Sequence, residues 1–183
     1  MSVIKKLQNS ISRLAGSKQE EAKRDKRVYN YAQAESIALI FKERGEEHYG
    51  VISKYMSFLK DEHLIKNLMA LCYIEDKETP TYIKPRVDFE TFTKKDTNWQ
   101  QLPSGTIVEN FINEPYNILI DLSLDDDMPI KHIVKQSNAS FKLGKHSKKN
   151  EHLYDMMISV DKENLTPKEL IEHVNHYLSI INS

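Results

Sequence analysis

Cysteine is almost missing from this chain: Cys72 is the only one in 183 residues, so no intramolecular disulfide can form. It sits in the apolar run LMALCYI (68–74), where it reads as a small core residue of a protein kept in a reducing compartment, hence cytoplasmic. Glycine and proline are scarce, at five and six, which removes collagen-like and low-complexity classes. No apolar run reaches the ~18 residues a membrane span needs. The N-terminus also lacks an apolar stretch ending in a small-residue cleavage site, so neither a transmembrane segment nor export is expected. The glycine-rich signatures of dinucleotide-binding and P-loop proteins, and the G-x-S-x-G elbow of serine hydrolases, do not occur. The seven histidines include His173 and His176, three apart, but with the cysteine inside an apolar run no zinc set assembles. No metal and no cofactor is expected.

Charge is present and unevenly placed. The net charge is -1, yet residues 1–27 hold eight Lys or Arg against three Asp or Glu, giving +5 and leaving -6 for the rest. Within this arm Ile4, Leu7, Ile11 and Leu14 recur at spacings of three and four with Lys5, Lys6 and Arg13 on other faces, the pattern of an amphipathic helix. A basic arm over 1–28 followed by a single α/β domain over 29–183 is the expected organisation.

The body alternates. SIALIF (36–41), LMALCYI and YNILIDL (116–122) are nearly continuous apolar runs, as buried parallel strands require. HYGVISKYMSFLKD (48–61) places His48, Ile52, Tyr55, Met56 and Leu59 on one helical face. A short strand fits 89–92, a short helix GTIVENFI and another PIKHIVKQS. ASFKL and LYDMMISV read as two strands joined by a polar hairpin, which would make one of them antiparallel. TPKE (166–169) is a capping box with Pro167 at the first helical position, ahead of a stripe of Leu170, Ile171, Val174, Leu178 and Ile181. The expected fold is a three-layer Rossmann-like sandwich: a mostly parallel sheet of five or six strands plus the N-terminal amphipathic helix.

The segments NILIDLSL, PIKHIVKQSNASFKLGKH, YDMMISV and LIEHVNHYLSIIN, with small residues at Ser123, Ser137 and Gly144, resemble a family of small cytoplasmic Bacteroidota proteins without assigned function. The resemblance implies a Rossmann-like body and brings no activity, cofactor or catalytic residue.

Two places could carry function. In open α/β sheets ligands bind beyond the carboxyl ends of the strands, so Asp121, Ser123 and Asp125 in IDLSLDDDMP mark a rim where an enzyme or metabolite-binding domain would work. The competing reading is an acidic turn, with Asp125, Asp126 and Asp127 favoured by the dipole and unpaired N–H groups of the helix that starts near Pro129. On that reading Asp121→Asn would alter stability only modestly. The second place is the arm. Ile4, Leu7, Ile11 and Leu14 would dock on a protein groove while Lys5, Lys6, Arg13, Lys23, Arg24 and Arg27 face anionic groups, with RNA or an anionic membrane surface as other acceptors. The alternative is an arm folded back on its own domain. A non-enzymatic adaptor is the leading expectation.

Overall fold

A computed structural model describes residues 24–160 and 165–181. Six apolar runs become strands: Ser36–Lys42 (β1), Asn67–Ile74 (β2), Phe89–Thr93 (β3), Ile118–Asp121 (β4), Phe141–Lys145 (β5) and Met156–Ile158 (β6). They form one sheet in the order β3-β2-β1-β4-β5-β6, and every neighbouring pair is parallel. Helices Glu46–Asp61 (α1), Thr106–Asn113 (α2), Met128–Gln136 (α3) and Pro167–Ile180 (α4) cover the two faces. Ile37, Leu39 and Phe41 of β1 turn toward α1 and α4, while Ala38 and Ile40 turn toward α2 and α3. Period-two alternation in a strand apolar on both sides thus fills two cores, and the three-layer Rossmann-like sandwich is the result.

Local chemistry explains the helices. The five side chains expected on one face of α1, His48 to Leu59, are the five it buries. Thr166 accepts from the Glu169 N–H at 3.3 Å, and the Glu169 carboxylate accepts from the Thr166 N–H at 2.9 Å, closing the capping box of α4. Gly45 and Gly105 precede α1 and α2 at φ 106° and 107°, a backbone region that side chains resist.

The expected hairpin is corrected: β6 runs parallel to β5, with Leu143 opposite Met156 and Lys145 opposite Ile158. Parallel neighbours usually need a crossover of about a dozen residues, but β6 has only three residues, so the chain has little height to regain. A short 3-10 turn, Glu151–Leu153, makes the return. Leu153 and Tyr154, read from sequence as strand, are the apolar filling of that crossover and pack into the core beneath α2 and α3.

On the α3 side the β4–β5 pair is unusually polar. Lys142 of β5 is 1% exposed, and its ammonium donates to the Val134 carbonyl at 2.7 Å and to Lys135 at 3.3 Å. A cation is thereby set on the negative carboxyl end of α3.

Candidate functional site

Chain direction across the sheet reverses between β1 and β4, the place where open α/β sheets leave a crevice beyond their strand ends. Three carboxylates of the β4–α3 loop tie this rim together. Asp125 pairs with Arg44 beyond β1. Asp127 accepts from Lys42 at 3.0 Å, and the same ammonium reaches Glu75 beyond β2 at 2.7 Å. Asp126 accepts from Ser147 Oγ at 2.9 Å and Asn150 Nδ2 at 2.7 Å, beyond β5. Burial works against the charge on Lys42, but the two carboxylates outweigh it and hold its pKa above the ordinary lysine value. Asp127 occupies the N-cap of α3 without making a side-chain cap bond. The acidic turn therefore owes its residues to ion pairs with neighbouring loops more than to capping.

Asp121, at the end of β4, points into the α3 layer and is 1% exposed. Its carboxylate accepts from Lys131 Nζ at 2.7 Å, from the Tyr154 hydroxyl at 2.6 Å and from the Ser123 N–H at 2.8 Å. Lys131 also lies 2.8 Å from the Tyr154 hydroxyl. Burial, and then the charge of Asp121, push the Tyr154 phenol well above its ordinary value, so it stays a donor. Gly144 makes this arrangement possible, since a Cβ there would stand 2.6 Å from the Tyr154 ring.

The three rim residues singled out from sequence do not converge. Asp121 faces inward, Asp125 lies outward with its side chain 58% exposed against Arg44, and Ser123 is 3% exposed with a hydroxyl that has no hydrogen-bond partner within the protein. Ser123 and Asp125 do share the lining of a cavity of about 320 Å³ with Asp126, Lys131, Lys145 and Ser147. Sequence alone does not place Lys131 and Lys145 at this rim, because the first comes from α3 and the second from the end of β5. Among the described residues no group of three His, Cys, Asp or Glu could hold a metal ion.

The arm helix, with Ile4, Lys5, Lys6, Leu7, Ile11, Arg13, Leu14 and Lys23, lies outside the described residues. Arg24 and Arg27 lie inside them. The Arg24 side chain is 0% exposed and ion-pairs with Asp155 at 2.7 Å, while its guanidinium also donates to the carbonyls of Ser140 at 2.7 Å and Ala139 at 3.2 Å. The Arg27 N–H donates to Ser140 at 3.3 Å, and its exposed guanidinium lies 4.9 Å from the centre of the Tyr29 ring. Ser140 and Asp155 immediately precede β5 and β6. Arg24 and Arg27 are thus fixed at the amino end of the sheet, opposite the rim.

No helix among the described residues is long and apolar enough to cross a membrane. Comparison with curated proteins and with solved structures finds no match. Residues 5–181 match the model of a family of unknown function, DUF6913, nearly the whole chain, and the protein belongs to that family.

Proposed function

We propose that this is a non-enzymatic cytoplasmic binding protein whose α/β body presents the basic amphipathic segment before Arg24 to a protein partner. The observation that carries this reading is the self-pairing of the rim. Lys42, Arg44, Asp121, Asp125 and Asp127, charged groups around the crevice, are engaged with one another or with neighbouring loops, which argues against their working as the acid, base or nucleophile of a catalyst. The buried Arg24 supports the rest of the reading, because it anchors the residue that follows the basic segment to the body.

A partner captured by the full chain should be lost when residues 1–23 are removed, a cut that leaves Arg24 in place. Leu7→Asp should weaken capture even at high salt, whereas charge reversal at Lys5 and Lys6 should matter chiefly at low salt, since exposed charges are screened within about 8 Å at physiological ionic strength. Undiminished capture by the truncated chain refutes the proposal. Binding that follows RNA or anionic vesicles instead of a protein would reassign the partner.

A further inference from the structure

We propose that the cavity between the loops after β4 and β5 binds a small carboxylate that also carries a hydrogen-bond donor, of the size of a hydroxy acid or an amino acid. Four features of the cavity select that chemistry. Ser123 is 3% exposed, lines the cavity, and its hydroxyl oxygen, itself buried, makes no hydrogen bond among the described residues, so the cavity wall holds a donor and acceptor that a ligand would satisfy. Lys131 lines the same cavity and uses two of its three ammonium hydrogens on Asp121 and Tyr154, leaving one for a carboxylate. Lys145 spends one donor on the Leu124 carbonyl, at 2.8 Å, and brings a charge with no carboxylate partner among the described residues.

Asp126, also in the lining, keeps acceptor capacity beside Ser147 and Asn150. Since Asp121 balances Lys131 and Arg44 balances Asp125, and His146 faces Glu151 at 3.4 Å, the remaining charges of the lining are one cation, Lys145, and one anion, Asp126. That dipolar lining suits a monocarboxylate with a hydroxyl or ammonium group and repels a multiply charged anion such as phosphate. At about 320 Å³ the space falls at the small end of ligand sites. It also lies at the carboxyl ends of the strands beside the switch point, where this topology places ligands. The site stands apart from Arg24, which is held at the other end of the sheet.

The test is an amide NMR titration of the full chain with L-serine, acetate and inorganic phosphate as separate probes. L-serine should give saturable shifts at 123–126 and 145–147 with a Kd on the order of 1 mM, as expected for so few atoms. Acetate should bind about tenfold more weakly for want of one charged hydrogen bond, and phosphate should not saturate. Ser123→Ala should weaken L-serine about tenfold without lowering Tm, because its hydroxyl loses no protein partner. Lys145→Ala should weaken both carboxylates. Absence of saturable shifts with either carboxylate overturns the proposal, as does a Ser123→Ala protein that titrates like the parent, in which case the cavity takes up only water. Phosphate binding as well as L-serine overturns the ligand class. The chain lacking residues 1–23 should titrate unchanged, so failure of the adaptor reading and failure of this one are distinguishable.

Discussion

Replacing Asp121 by Asn would leave the Lys131 ammonium, whose side chain is 11% exposed, hydrogen-bonded to a phenol and an amide but with no countercharge. Breaking a buried pair from one side costs about 3–5 kcal/mol, a large share of the roughly 5–15 kcal/mol that stabilises a typical domain and more than the modest effect expected from sequence, which did not show Asp121 buried against Lys131. For a chain of this size that corresponds to a fall in Tm of about 6–20 °C. Asp125→Asn, by contrast, breaks the Asp125–Arg44 pair, in which both side chains are at least 36% exposed, and should cost less than about 1 kcal/mol. Urea unfolding of both single variants and of Asp121→Asn/Lys131→Met separates desolvation from geometry. Removing both charges should recover most of the loss, because an apolar replacement of a buried pair is often neutral. A cost below about 1 kcal/mol for Asp121→Asn, or a double variant no more stable than the sum of its parts, would mean that Lys131 finds water and that the buried network is not what secures this corner.

The imidazole of His48 is buried and neither nitrogen has a protein partner; burial, then the nearby Arg44 charge, lower its pKa to about 4 from 6.5. The unfolded chain therefore takes up that proton first, and stability present above about pH 6.5 should fall by up to ~3 kcal/mol as pH drops toward 4. His48→Phe should flatten that limb of a urea-midpoint profile. Gly144→Ala should lower the unfolding free energy, read from urea titration, by about 1–3 kcal/mol through overpacking against Tyr154, and an unchanged urea midpoint would show that the ring moves freely. Cys72, fully buried in β2 with its thiol pushed up by burial, should react with a thiol reagent only as fast as the protein opens, so rapid native labelling would refute its core placement.

Much of the body is legible in sequence because its strands are buried on both sides and read as unbroken apolar runs, with the α1 stripe and the Thr166 capping box adding local signals of helical period. What sequence misses is direction and convergence. Leu153 and Tyr154 look like strand because apolar residues near a polar loop carry no sign of whether the chain turns back or crosses over, and only the three-residue length of β6 permits the crossover. At the rim, the acidic turn is readable, but its partners Lys42 at the end of β1, Arg44 just beyond it and Ser147 in the loop after β5 are far from it in sequence. Lys131 could not be foreseen because its position depends on how α3 lies across β4. Ser123 was visible as a strand-end residue, whereas its unpartnered hydroxyl is a property of packing alone.

An all-parallel sheet leaves this chain no hairpin from which to start folding. The central strand β1 meets β2 through Ser36 and Asn67, 31 residues apart, and β4 through Ile37 and Ile118, 81 residues apart. The longer closure costs only about 0.9 kcal/mol more in chain entropy, so the delay is one of order: β1 and β2 can pair first and wait. During synthesis, at about 5–20 residues per second, the interval between completing Ile74 and completing Asp121 is about 2–9 s. Throughout it, one edge of β1 presents unpaired backbone flanked by Ile37, Leu39 and Phe41, the kind of template on which a neighbouring nascent chain could add a strand. The nascent chain should accordingly be most prone to self-association, and most dependent on chaperone shielding, in that window, and a ribosome-bound fragment ending near residue 110 should aggregate on release where one ending beyond residue 160 does not.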